Sequence, residues 1–192
     1  NNMDDVTFSG PHYYVANPYF KTPNEVCETH GAYTPIDLTR MPKSYIPRSN
    51  YKPSKEKGLF EKNITTVPWD NLSKVTNYYR LIFRSMINPS LEKSLIGAII
   101  PPKTTHINSG SSYIFKDNKM LVLFGALCSS ILYDIYVKII GKQNLHDTPK
   151  QLPILEEYFT FLAYRFLRLN CLTEYYAELW NSFSSDYLNI AK

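Results

Sequence analysis

The sequence predicts an α+β fold. It reads as an irregular, proline-rich N-terminal segment, a small mainly antiparallel sheet packed on a central apolar helix, and a C-terminal helical hairpin. Three observations predict it. Eight of the 13 prolines fall in the first 68 residues. Residues 78–115 alternate in polarity or run apolar between turn residues, which is the strand signature. From Asp117 onward, apolar residues recur at helical spacing. The divisions expected are 1–68, 69–154 and 155–192.

In the first division, Pro11, Pro18, Pro23, Pro35, Pro42, Pro47, Pro53 and Pro68 each fix φ, remove a backbone donor and restrict the residue before them. A short strand at His12–Ala16 is expected, and long helices are not. Residues 40–62 carry Arg40, Lys43, Arg48, Lys52, Lys55, Lys57 and Lys62 against Glu56 and Glu61, a local net charge of +5 where the whole chain has +4. Tyr45, Tyr51 and Phe60 are interleaved. A mobile basic loop with aromatics suits phosphate contact with base or groove contact, although a solvated lysine-rich loop has the same composition.

In the second division, Tyr79, Leu81, Phe83, Ser85 and Ile87 alternate with Arg80, Ile82 and Arg84, which predicts a strand with one buried face. Asn88-Pro89-Ser90 is a turn. Ser94–Ile100 is a buried partner strand, stopped by Pro101-Pro102. Residues 109–112 read as a loop before a short strand at Tyr113–Phe115. Arg80 and Arg84 fall on one face about 13 Å apart at the strand rise. From the pattern alone this is an ordinary solvated or salt-bridged sheet face.

Asp117 or Asn118 caps a helix running to about Ile140 and ended by Gly141. Being apolar nearly all round, it is the expected core helix. A loop or short strand spans 143–154. Amphipathic helices follow at about 156–169 and 173–184, the second capped by Thr173.

Catalytic chemistry is sparse. The sequence lacks GxGxxG, P-loop, HExxH and GxSxG patterns, and has no PD…ExK arrangement. His12, His30, His106 and His146 are scattered. Cys27, Cys128 and Cys171 are three in number, widely spaced, and read as reduced thiols rather than a disulfide framework or zinc site. The longest apolar stretch, Met120–Tyr133, is shorter than the roughly 20 residues a spanning helix needs. Asn17-Pro18-Tyr19-Phe20 is similar to the Asn-Pro-Pro-Tyr element of adenine methyltransferases, but lacks the second proline and a preceding glycine-rich cofactor loop. It is not read as catalytic.

Several short elements, in order, resemble the large adenine-specific DNA methyltransferases of type IIG restriction–modification systems and of BREX and DISARM phage-defence islands. They are Gly10-Pro11-His12 with Asn17-Pro18, then Ile36-Asp37-Leu38-Thr39, and Tyr45–Tyr51. Tyr79-Arg80-Leu81 with Phe83-Arg84, Leu95–Pro102, Leu127–Ser130 and Gln151–Ile154 follow. Arg165–Thr173 with Tyr176 and Leu179-Trp180 closes the series. Where the family commonly has an arginine before the second of these strands, this chain has Glu92-Lys93-Ser94.

The resemblance covers only the target-recognition region downstream of the catalytic domain. It implies a piece of a longer protein, consistent with the Asn1-Asn2 start, that binds double-stranded DNA and packs against the parent's catalytic methyltransferase domain. The piece itself would hold no cofactor. S-adenosylmethionine and adenine N6-methylation, with or without a fused endonuclease, would belong to the parent, in the cytoplasm of a prokaryote and without a membrane. Candidate DNA contacts are Arg80, Arg84, Arg48, Tyr51, Lys52, Lys55, Lys57 and Lys103. The alternative is a protein-interaction module docking a methyltransferase or restriction partner through the aromatic C-terminal helices (Tyr158, Phe159, Tyr164, Tyr175, Tyr176 and Trp180).

Overall fold

The computed structural model describes residues 2–29, 31–53, 57–157 and 159–183, with the side chain of Lys57 left out. In chain order, the strands are β1 (Thr7–Phe8), β2 (Lys21–Pro23), β3 (Tyr33–Pro35), β4 (Thr66–Val67), β5 (Asp70–Lys74), β6 (Arg80–Arg84), β7 (Gly97–Ile100), β8 (Thr105–His106) and β9 (Gly110–Ile114). The helices are α1 (Lys57–Asn63), α2 (Asn118–Cys128), α3 (Ile131–Ile140), α4 (Phe159–Asn170) and α5 (Ala177–Asn181).

The fold is α+β, as the patterning indicated. Its central sheet is antiparallel in the order β7-β6-β9, with Leu81 opposite both Ile99 and Tyr113. Helix α2 lies against β6 and β7 and beneath α4, and every residue from Leu121 to Cys128 is buried. Asp117 caps α2 by accepting the Lys119 amide at 2.9 Å. Gly141, at φ 68°, ends α3 in the left-handed conformation that a β-carbon disfavours.

Several boundaries differ from those read in the sequence. The helix expected over 117–140 is two helices bent by 71°. Ser130 is extended, and its hydroxyl accepts the Tyr133 amide at 3.4 Å, so it starts a new helix. Ser129 turns back to the Gly125 carbonyl at 2.9 Å. Each serine offers the backbone an alternative partner to the continuing helix. No single helix among the described residues is long and apolar enough to cross a membrane. The 109–112 loop and the strand after it are one strand, β9, because Gly110 lets the ladder pass close to Ile82 and Tyr13. Instead of a strand at 12–16 there is a 3-10 turn at Gly10–His12 and a single bridge between Tyr14 and Asn17. Part of the expected mobile loop is α1. Thr173 makes no side-chain cap; its hydroxyl meets the Tyr19 hydroxyl at 3.3 Å.

The largest correction concerns β6, which has no solvated face. Arg80, Leu81, Ile82 and Phe83 are all buried. The N-terminal segment and the turn after β7 cover the face that alternation assigned to solvent. Arg80 donates to the Thr104 carbonyl. Arg84 donates to the carbonyls of Gly10 at 2.9 Å and Tyr13 at 3.1 Å. Phe8, Tyr13 and Tyr19 therefore belong to the same core as the sheet.

The free edge of β7 is sealed by two side chains and one backbone amide. The Ile99 amide donates to Asn170 Oδ1 at 2.7 Å, the Tyr176 hydroxyl donates to the Ile99 carbonyl at 2.8 Å, and the Ala16 amide donates to the Gly97 carbonyl at 2.8 Å. An uncovered edge is a template for pairing with another chain. Just ahead of the same strand, Asp134 Oδ1 accepts the amides of Ser94 and Leu95 at 2.7 and 2.8 Å. Burial opposes its charge, but these amides and Lys138 outweigh burial and hold the carboxyl below its usual range.

Candidate nucleic-acid interface

The N-terminal segment reaches the basic stretch through His12. Its Nδ1 accepts the Ser9 amide at 3.0 Å, which leaves the proton on Nε2 to be donated to the Arg48 carbonyl at 2.8 Å. The ring is fully buried, edge-on to Phe8 and Tyr33. Burial holds its pKa below 6.5, against the raising effect of the Arg48 and Ser9 carbonyl contacts. His106 is likewise lowered by burial, with Arg80 nearby adding to the effect.

These two depressed values fix a sign. Below about pH 6.5 the unfolded chain binds protons that the folded chain refuses, so stability is present above that pH and lost as pH falls. The expected outcome is a falling melting temperature from about pH 6.5 downward, with a slope of up to about 1.4 kcal/mol per pH unit for each histidine. His12→Gln should flatten that profile. A profile flat to pH 5 in the parent chain would contradict the buried neutral imidazoles.

Arg48 and Lys52 stand at two adjoining clefts. The first, about 440 Å3, runs from Asn2, Asp5 and the β2 end (Pro23, Asn24, Glu25) to the 47–52 strap. The second, about 460 Å3, shares Asp5 and Lys52 with the first and adds Lys74, Lys103, Phe60 and Glu61. Residues far apart in sequence thus bring Arg48, Lys52, Lys74 and Lys103 to one side of the molecule. Arg48 is 3.6 Å from Glu25, an exposed pair of little energetic weight. Lys74 donates to the Ile64 carbonyl at 2.9 Å.

Lys103 is presented by a strained turn. Its φ is +69°, unusual for a residue with a β-carbon, and its amide donates to the Thr76 carbonyl at 2.6 Å. Thr104 closes the turn by donating to the Pro101 carbonyl at 2.7 Å, and Arg80 holds Thr104 from behind. Arg80 is 3% exposed, and its Nε has no hydrogen-bond partner. Burial pushes its pKa down to about 10, so it stays a cation at neutral pH. No carboxylate pairs with it among the described residues. It is too deeply buried to offer a surface to a partner; it holds the turn that presents Lys103.

Arg84 lines a third cleft of about 480 Å3 with Phe20, Lys21, Tyr33 and Met86. The β2–β3 hairpin separates this cleft from the first, since Lys21 faces one and Pro23 the other. Lys21 Nζ lies 5.1 Å from the Phe20 ring centroid, a cation–π contact. Tyr51 is exposed, its carbonyl accepting from Ser49 at 2.7 Å. Lys55 and the Lys57 side chain lie outside the described residues. Lys21 and Lys74 are lining cations missed in the sequence; only their short strands next to aromatics (Phe20; Trp69 and Tyr78) could have signalled them.

Other chemistry is structural. Asn17 Oδ1 accepts the Tyr19 amide at 2.9 Å, so the Asn-Pro-Tyr element closes its own turn. Burial pushes the thiols of Cys128 and Cys171 up, the second to about 12, which removes them as nucleophiles at neutral pH. Among the described residues no group of three or more His, Cys, Asp or Glu could hold a metal ion. The aromatics of the C-terminal helices turn largely inward. Tyr176 is fully buried, Phe159 packs near Phe183, and Tyr164 packs near Trp180; Tyr158 lies outside the described residues. No family model, curated protein or solved structure matches this chain.

Proposed function

We propose that this chain is a DNA-binding target-recognition module of an adenine-specific DNA methyltransferase or restriction–modification protein, acting in the cytoplasm. On this proposal the methyl donor, S-adenosylmethionine, binds the parent's catalytic domain. The observation that carries the proposal is the convergence of Arg48, Lys52, Lys74 and Lys103 on adjoining clefts beside Phe60. Phosphate contacts set the register of a protein on a duplex, and lysines suit them as mobile point charges. Asp4, Asp5 and Glu61 line the second cleft as well. They lower its potential, whereas the uncompensated charge of Arg80 behind the Lys103 turn raises it.

The Arg84 cleft has the rings of Phe20 and Tyr33 and the ammonium of Lys21 at its lining, stacking faces with a cation beside them, the combination that holds unstacked bases; Arg84, tied to the Gly10 and Tyr13 carbonyls, braces the wall. Bases are therefore assigned to this cleft and phosphates to the other two. Lys52→Gln, Lys74→Gln and Lys103→Gln combined should weaken duplex binding at low salt by about 10- to 100-fold and reduce the salt slope by about 2.7. Fluorescence anisotropy with a labelled duplex reads both quantities. An unchanged affinity and slope would remove the phosphate assignment.

A further inference from the structure

The cations of the two adjoining clefts are not equally free to meet an anion. Arg48 lies 3.6 Å from Glu25, and the Lys74 ammonium donates to the Ile64 carbonyl at 2.9 Å. Lys52 belongs to a strap, residues 46–53, that is held down by side chains. His12 donates to the Arg48 carbonyl, Thr22 accepts the Arg48 amide at 3.3 Å, and Ser49 donates to the Thr7 carbonyl at 2.7 Å. Among the described residues the strap makes no backbone–backbone hydrogen bond. A phosphate arriving at Arg48, Lys74 or Lys52 must therefore displace a partner or order a loosely tied segment, and both reduce the affinity gained.

Lys103 has neither burden. Its ammonium makes no hydrogen bond or ion pair among the described residues, although Asp4, Asp5 and Glu61 line the same cleft. Its backbone is clamped on both sides. The Lys103 amide donates to the Thr76 carbonyl at 2.6 Å, the Thr105 amide to the Val6 carbonyl at 3.0 Å, and the Thr104 hydroxyl to the Pro101 carbonyl at 2.7 Å. The clamp holds φ at +69°, a conformation that suits glycine and strains lysine. Arg80 reaches the Thr104 carbonyl from behind, 3% exposed and with its Nε unpartnered. A buried cation without a carboxylate is costly. The turn thus combines a strained backbone with an uncompensated charge, at the point where a lysine that touches nothing else is turned outward. Glycine would satisfy the backbone, and a neutral side chain would lessen repulsion from Arg80. Neither the core nor the turn asks for lysine here.

We propose that Lys103 is the anchor of this interface, the cation that contributes most to holding a backbone phosphate of the duplex, and that the fold gives up stability to present it. The proposal rests on the DNA-binding reading above. A phosphate seated on Lys103 neutralises the field of Lys103 and Arg80 together, so the bound state recovers part of what the free state lacks.

Two measurements on the full chain test it. By fluorescence anisotropy with a labelled duplex at about 50 mM salt, Lys103→Gln should weaken binding about 10-fold, and Arg48→Gln, Lys52→Gln or Lys74→Gln alone no more than about 3-fold, while each lowers the salt slope by about 0.9. The slope counts phosphates, whereas the loss at fixed salt reports how well each cation is prepared for its phosphate. In thermal unfolding, Lys103→Gly should melt above both the parent chain and Lys103→Gln, the latter by about 1–3 °C, and should bind DNA as weakly as Lys103→Gln. Glycine relieves the strain and removes the charge; glutamine removes the charge alone. Equal losses of affinity at all four positions would overturn the proposal and leave the DNA-binding reading standing. A parent chain that binds no duplex at about 50 mM salt would overturn both. A Lys103→Gly chain no more stable than Lys103→Gln would overturn the claim that stability is given up at this turn.

Discussion

Gly125→Val should destabilise the fold by about 3 kcal/mol or more, through overpacking, lowering the melting temperature by about 6–12 °C for a domain of this size. Gly125 is where α2 and α4 touch. A β-carbon there would stand 2.4 Å from Phe166 Cζ and 3.2 Å from Leu81 Cδ1. Real contacts of that kind do not occur, so the buried Phe166 ring, or α4 with it, would have to move. Gly125→Ala separates the causes. Helix propensity alone would have alanine stabilise α2 by about 1 kcal/mol, whereas the close approach requires a loss. Adding Phe166→Leu should recover part of that loss, a coupling that a double-mutant cycle measures.

Asn170→Leu should cost about 2–4 kcal/mol, because it strands a buried amide and removes a second hydrogen bond. Asn170 is fully buried, accepting from Ile99 and donating to the Phe166 carbonyl at 2.8 Å. The amide it leaves lies on the outer edge of β7, where no strand can replace it. A local readout distinguishes this loss from general loosening: hydrogen exchange should accelerate first at the Ile99 amide. Tyr176→Phe should show a smaller effect at the same place, since the carbonyl it abandons retains a second lone pair. Exchange that rises evenly through the molecule would count against the edge-sealing role.

Much of the scaffold was legible from the order of residues. The Asp117 cap, the Gly141 terminus, the apolar run of β7 and the pairing of β6 with it follow from local rules that tertiary structure did not override. The errors share one cause, which is distance along the chain. Alternation gave Arg80 to solvent because nothing in the residues around it announces that Thr104 and the N-terminal segment close over that face. Gly58 and three charged neighbours hide α1, a helix without an apolar stripe. Ser129-Ser130 is too weak a signal to divide an otherwise continuous apolar run.

The candidate site was legible in its charge and not in its shape. Arg48, Lys52 and Lys103 could be named from composition and placement, and they do share neighbouring clefts. Lys74 and Lys21 arrive from separate hairpins, a meeting that only the fold makes. Arg80 was named for its charge, and its position gives it a different task, holding the turn that offers Lys103. Asn170 and Tyr176, which in sequence are only parts of the C-terminal helical region, complete a sheet edge.

The most direct measurement is the affinity of the full chain for a duplex oligonucleotide as a function of salt. With four cations on phosphates, the logarithm of the binding constant should fall linearly with the logarithm of salt concentration, with a slope near about −3.6, or roughly 100-fold between about 50 and 200 mM. Absence of binding at about 50 mM salt, or an affinity indifferent to salt, would contradict a phosphate-contacting role for these clefts.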